Sequence, residues 1–166
     1  KTYTGSHVIV DLLKAGKRIG VTSNSHHAIN NLLAAVETRA QEEGCTFTGL
    51  KKSSEGEGTE FTGRCIRSIE EKQQFLDAWG PNIDLTAGTA WLFADDTFTE
   101  QLDYLFIDEA GQVSVANLVT MGLAARNIVL MGDQMQLSQP VQGVHPGRSG
   151  DSILDYLLDG TPTIAP

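Results

Sequence analysis

Cysteine is scarce in this chain, basic residues are outnumbered, and long apolar runs are missing. The 2 cysteines, Cys45 and Cys65, have no metal-ligand spacing and read as two reduced thiols of a cytoplasmic protein. No apolar run approaches the roughly 18 residues of a membrane span. The first residues lack a charged-then-apolar leader, so the expected setting is the cytoplasm, away from membranes. Lys and Arg number 12 against 21 Asp and Glu, giving a net charge of −9 at pH 7. That balance argues against a protein that coats nucleic acid by bulk electrostatics. It is compatible with a grip built from a few backbone and hydroxyl contacts. No internal repeat or linker interrupts the 166 residues, so 1–166 is expected to be one domain with a core of its own.

What is present alternates between two periodicities. Val8, Ile9, Leu12 and Leu13 recur at helical spacing and predict a helix over 2–14, ended by Gly16. Residues 18–22 read as a short strand and Ser23-Asn24-Ser25 as a turn. A second helix over 26–43 carries the stripe Ala28, Leu32, Leu33 and Val36 and stops at Gly44. A strand is expected at 46–50, a mobile polar surface loop over 51–63 and a charged helix over 68–79. Further strands are expected at 83–89, 102–107 and 127–131, with a helix over 114–123. Residues 139–150 read as loop and 151–158 as a short helix, with the start of another strand at 163–165. Strands alternating with helices imply an α/β fold whose mainly parallel sheet is covered on both faces. Ligands of such sheets bind beyond the carboxyl ends of the strands. Thr22, Thr86, Asp108 and Gly132 all fall at such ends.

Three segments carry chemistry. Lys1-Thr2 is how a phosphate-binding loop of the form G-x-x-x-x-G-K-[ST] ends. Its lysine would neutralise the β- and γ-phosphates and its hydroxyl would ligate magnesium. On that reading the loop glycines and the strand before them precede Lys1. Taken alone, the dipeptide is equally an arbitrary chain start. Leu105-Phe106-Ile107-Asp108-Glu109 is a hydrophobic strand that ends in an acidic pair. Asp108 suits a magnesium ion, and Glu109 suits the attacking water of phosphoryl transfer. The alternative is a strand ending in a helix cap, with the acids near a positive helix dipole. Gly132-Asp133-Gln134-Met135-Gln136-Leu137 repeats the design on the next strand, with Gly132 for a tight turn and Gln136 as a neutral amide able to sense a γ-phosphate. His26, His27 and His145 have no Cys or acid cluster beside them and read as surface or capping residues. Trp79 and Trp91 read as core or half-buried packing rather than base-stacking platforms.

In this order the segments resemble the first RecA-like domain of superfamily 1 helicases, in the branch of the nonsense-mediated-decay helicase. Lys1-Thr2 resembles the end of motif I, and residues 20–32, from Gly20-Val21-Thr22-Ser23-Asn24-Ser25-His26 onward, resemble motif Ia. Leu85-Thr86-Ala87-Gly88-Thr89-Ala90 resembles motif Ic. Asp108-Glu109-Ala110-Gly111-Gln112 is similar to motif II, and Gly132 to Leu137 to motif III. Asn24 and His26 stand where motif Ia often has proline and asparagine, and Ser138-Gln139 adds one residue before Pro140. Gln142-Gly143-Val144-His145-Pro146-Gly147 with Ser152-Ile153-Leu154-Asp155 also resembles bacterial helicases fused to a RecB-like nuclease.

The resemblance implies a P-loop NTPase three-layer sandwich lacking the strand before the phosphate loop. It implies ATP and Mg2+ as cofactors, with Lys1, Thr2, Gly132 and Asp133 on the nucleotide and Thr2 and Asp108 on the metal. Glu109, Asp108, Gln112 and Gln136 would be catalytic, the two glutamines contacting the γ-phosphate or its water. Ser25, His26, Thr86 and Thr89 would touch the backbone of a single nucleic-acid strand, DNA ahead of RNA. A second RecA-like domain and a nuclease domain would be partners in the parent chain, where arginine fingers of such enzymes reside, and the isolated piece would hydrolyse ATP poorly. Two rival readings stay open: a P-loop ATPase that regulates assembly or repair without moving on a strand, and an inactive scaffold.

Overall fold

The computed structural model of the chain describes residues 1–132, 146–159 and 161. Asp133, Gln136, His145, the 139–145 part of the expected loop and the strand expected at 163–165 lie outside the described residues. Helix α1 (Thr2–Lys14) buries Ile9, Val10 and Leu13. Strand β1 (Ile19–Thr22) is buried along its whole length. Ser25 caps helix α2 (His26–Glu42): its Oγ accepts from Ala28 N at 3.1 Å, satisfying one of the amides that the first turn leaves unpaired. There follow β2 (Gly49–Lys52), β3 (Ile66–Ile69), α3 (Lys72–Ala78), β4 (Leu85–Ala87) and α4 (Ala90–Phe93). Then come β5 (Leu102–Asp108), α5 (Val115–Gly122), β6 (Ala125–Met131) and α6 (Ile153–Leu158), with short 3-10 turns at Asp96–Phe98 and Ala110–Gln112.

The six strands lie in the order β3-β2-β4-β1-β5-β6, and all five pairings are parallel. Alternation along each strand splits the core into two. Val21, Leu85, Ala87 and Phe106 pack with Ile9, Val10, Ile29 and Leu33 from α1 and α2. Leu50, Leu105 and Ile107 pack on the other face with Phe75, Phe93, Met121 and Ile153. The result is a three-layer α/β sandwich, as expected for a sheet hydrophobic on both faces.

Three expectations are corrected. Lys51 and Lys52 belong to β2 rather than to the 51–63 loop, because β2 pairs with β4 through Lys51 opposite Ala87. The expected helix over 68–79 shortens to α3, since Ser68 and Ile69 pair with Lys51 and Lys52 as the end of β3. Trp91, expected to be packed, is 83% exposed on α4. Trp79 is half-buried as expected. Its indole N–H donates to Thr86 Oγ1 at 2.9 Å, its ring meets Phe98 edge-on at 4.7 Å, and the Arg18 guanidinium lies 4.7 Å from the ring.

Lys51 is the only Lys or Arg buried among the described residues, at 0% exposure. Its Nζ donates to the main-chain oxygen of Thr59. Burial, which disfavours the ammonium form, pulls its pKa down to about 8, opposed in part by Glu60.

Two outcomes test this packing. Phe75 is the residue that α3 buries, and a helix this short relies on tertiary contact rather than propensity. Phe75→Ala is expected to lower the urea-unfolding free energy by about 3–5 kcal/mol. For Lys51, the folded pKa lies below that of the unfolded chain, so its charge opposes folding below a pH of about 8. That opposition fades as the pH climbs from about 8 toward the ordinary lysine value of 10.5. The melting temperature of the wild-type chain is therefore expected to gain on that of Lys51→Met across this window; parallel curves would refute the assignment.

Candidate nucleotide and strand site

Parallel pairing sets all six carboxyl ends along one edge. Thr22 lies beside Ile107, and Asp108 lies beside Met131. Ser23 and Gly132, one residue further on, therefore flank the acidic pair. Asp108 is 8% exposed, and its Oδ1 accepts from the Glu109 amide at 2.9 Å. Glu109 takes a left-handed backbone, φ 54 and ψ 41, which non-glycine residues adopt infrequently and which is worth reading as functional. This turn brings its carboxylate to the turn that follows β1: Ser23 Oγ donates to Glu109 Oε2 at 3.5 Å. Asn24 makes a second tie, its Nδ2 donating to the main-chain oxygen of Gln112.

Gly132 is required by the same crowding. A Cβ there would sit 3.0 Å from Gly111 N and 3.3 Å from Ala110 Cβ, so the end of β6 presses directly on the short turn that carries Gln112. Helix α1 starts at this edge as well, because Gly5 in its first turn packs on the Met131 side chain. Lys1, Gly5, Phe106, Met131 and Gly132 line one cleft of about 390 Å³. Thr2, the first residue of α1, is half-buried. The structure thus gathers Lys1 and Gly132 on one cleft, and Asp108 and Glu109 beside Gly132 on the strand edge.

Among the described residues no three His, Cys, Asp or Glu side chains gather in a metal cage. Magnesium does not need one: it binds through one or two carboxylates together with water and substrate phosphates. Asp108 keeps Oδ2 for such an ion after Oδ1 is taken by the Glu109 amide, and a hydroxyl such as that of Thr2 is a fitting oxygen donor.

The four residues expected to touch a strand fare differently. Ser25 and His26 lie together at the start of α2, half-buried. The Ser25 oxygen accepts the Ala28 amide, while its O–H remains a donor. His26 Nε2 is 3.1 Å from Ser54 Oγ and its Nδ1 is 3.4 Å from Lys51 Nζ. Burial, then Lys51 and Lys52, lower its proton affinity. Thr89 is half-buried at the start of α4. Thr86 is only 1% exposed and its Oγ1 accepts from the Trp79 indole N–H, so burial, rather than the loss of its donor, gives it a packing role.

Two ties went unassigned in the sequence. The Ser23 and Asn24 contacts join segments some 86 and 88 residues apart, and only their position after a buried strand hinted at them. Lys51 left no such signal, because an isolated lysine reads as a surface residue.

No family model matches the chain. It is 28% identical over 156 residues to the Arabidopsis thaliana protein named DNA replication ATP-dependent helicase/nuclease JHS1. That match covers 92% of the chain and 11% of the relative's own length. Among solved structures, the C-terminal part of the Fun30 ATPase domain is similar with a TM-score of 0.44 and 11% identity, over 72% of this chain and 36% of that one. Bacteroides Pif1 bound to ssDNA gives a TM-score of 0.31 and 13% identity, over 84% and 33%. Along nearly its whole length, then, the chain is similar in sequence to one segment of a much larger helicase/nuclease.

Proposed function

We propose that this chain is part of the first RecA-like domain of a superfamily 1 helicase or translocase, which couples ATP hydrolysis to movement on single-stranded nucleic acid. The observation that carries the reading is the pair of ties between the acidic turn and the motif Ia turn, Ser23 to Glu109 and Asn24 to Gln112. They join the residues suited to hydrolysis to those suited to a strand, which is what coupling requires.

In this reading ATP docks at the cleft beside Lys1. Lys1 would neutralise phosphate charge, and Thr2 and Asp108 would hold Mg2+, which would screen the β- and γ-phosphates. Glu109 accepts a proton from water as the water oxygen bonds to the γ-phosphorus and the bond to the β-phosphate oxygen breaks, releasing ADP and phosphate. Ser23 donates to the Glu109 carboxylate and keeps it aimed. Gln112 and, from motif III, Gln136 and Asp133 contact the γ-phosphate or the groups around it. A shift of this turn on hydrolysis pulls the 23–26 turn, where Ser25 and His26 face the strand backbone. Hydroxyl and amide contacts there read phosphate and sugar without sequence preference. Thr89 lies at the same edge, and the exposed Trp91 two residues later offers a ring for a base. The second RecA-like domain, with its arginine fingers, and a nuclease domain complete the parent protein. DNA is the favoured strand.

Hydrolysis should accordingly be slow in the 166-residue chain and strong in the parent protein with single-stranded DNA. Glu109→Gln in the parent is expected to lower kcat by about 10²–10⁴-fold, read in a coupled ATPase assay; turnover indifferent to strands would favour a regulatory ATPase instead. Trp91→Ala is expected to weaken oligonucleotide binding by about 1–3 kcal/mol, with loss of the fluorescence quenching that base stacking gives.

A further inference from the structure

Lys51 has no role in that mechanism, yet its surroundings are built for one. Alternation along β2 turns Lys51 to the face covered by α2, where its Nζ meets His26 Nδ1 at 3.4 Å and the Thr59 carbonyl. Ser53, two residues on, is likewise 0% exposed, and its hydroxyl has no hydrogen-bond partner. Asn30, one turn along α2 from His26, donates Nδ2 to the carbonyls of Gly58 at 3.0 Å and Glu60 at 2.9 Å. Three consecutive carbonyls, of Gly58, Thr59 and Glu60, thus occupy the donors of Lys51 and Asn30. Carbonyls are neutral acceptors, and a phosphate oxygen is the stronger partner for an ammonium. The segment that supplies them is exposed over 54–58 and carries glycines at φ 116 and 75 (Gly56 and Gly58), so it is laid over the donors without being packed into the core. Lys51 and Ser53 are both fully buried at the carboxyl end of β2, with His26 at the start of α2 beside Lys51. Burial, then the nearby charges of Lys51 and Lys52, lower the pKa of His26.

We propose that Lys51, Asn30 and the Ser53 hydroxyl form an anion pocket for a backbone phosphate of a single nucleic-acid strand, with the 54–60 segment as the stand-in that the strand displaces. The inference rests on the strand-binding reading above and adds to it a contact outside the motif Ia and Ic residues. A phosphate in the pocket holds the Lys51 proton, so affinity falls as the pH rises through about 8. The other titratable groups facing Lys51 are His26 on α2 and Glu60 on the covering segment, while Lys52 on the same strand acts on His26. Glu60 is the acid that competes with an incoming phosphate.

The test is fluorescence anisotropy of labelled oligothymidylate and oligouridylate on the 166-residue chain across a salt series. Lys51→Met should weaken binding about tenfold and make the slope of log affinity against log salt shallower by about 0.7, the share of one phosphate on a single strand. Lys51→Arg should restore most of both, and Glu60→Gln should tighten binding. Asn30→Ala, at a half-buried position on α2, reports on the pocket should Lys51→Met fold poorly. Wild-type affinity, slope and pH profile in every variant would overturn the pocket while leaving the helicase reading standing. Binding of inorganic phosphate, read by calorimetry, that is lost in Lys51→Met while oligonucleotide binding is untouched would assign the pocket to free phosphate and overturn the strand proposal. Absence of any strand binding by the wild-type chain would sink the strand-binding reading and the pocket together.

Discussion

Parallel pairing around β1 is the constraint on which the rest depends. β1 lies between β4 and β5 and is buried throughout, so its backbone amides and carbonyls must be satisfied by those two neighbours. Parallel strands can be joined only by crossovers, and here the crossovers are helices covering both faces. The consequence is chemical. Every strand delivers its last residue to the same edge, and residues far apart in the chain become neighbours there. Ser23 and Glu109 meet because Thr22 is in register with Ile107.

Within that edge, backbone strain is concentrated at one acidic residue. Glu109 is held at positive φ by the strand on one side and the tight turn ending at Gln112 on the other. A relaxed strand exit would point the carboxylate elsewhere. The surrounding structure offsets the strain with the Asp108 to Glu109 hydrogen bond and with the close approach that Gly132 permits. Such local strain persists only where neighbours over-determine it.

The chain's acidity and the proposed binding of an anionic strand are reconciled by location. Net charge acts over a Debye length of about 10 Å or less at ordinary salt. On the proposed reading, contacts with a strand would be set instead by single donors: the O–H of Ser25, the amide of Asn30 and the Lys51 ammonium, the last two of which in this structure bond within the chain. Burial makes the Lys51 charge cheaper to lose and stronger when kept, since the low local dielectric strengthens any partner it finds.

The sequence by itself determined the elements whose information is local. α1 is read at 2–14 because apolar residues recur at i, i+3 and i+4 and a glycine follows; α2 begins where Ser25 supplies a cap; β5 delivers Asp108 because a continuous apolar run ends in two acids. The alternation of these elements also dictated a parallel α/β sheet. Tertiary structure alone decided what depends on partners distant in the chain. β3, Ile66-Arg67-Ser68-Ile69, buries only Ile66, so it carries too little apolar pattern to announce a strand and exists because β2 offers it a ladder. Lys51 became buried because β4 and α2 closed around it, Trp91 stayed in solvent because α4 turns it away from the core, and Thr86 was buried beside Trp79. Periodicity and caps act over a few residues and are written in sequence. Strand order, register and the burial of a single side chain are sums over contacts between distant segments, and only the packed chain evaluates them.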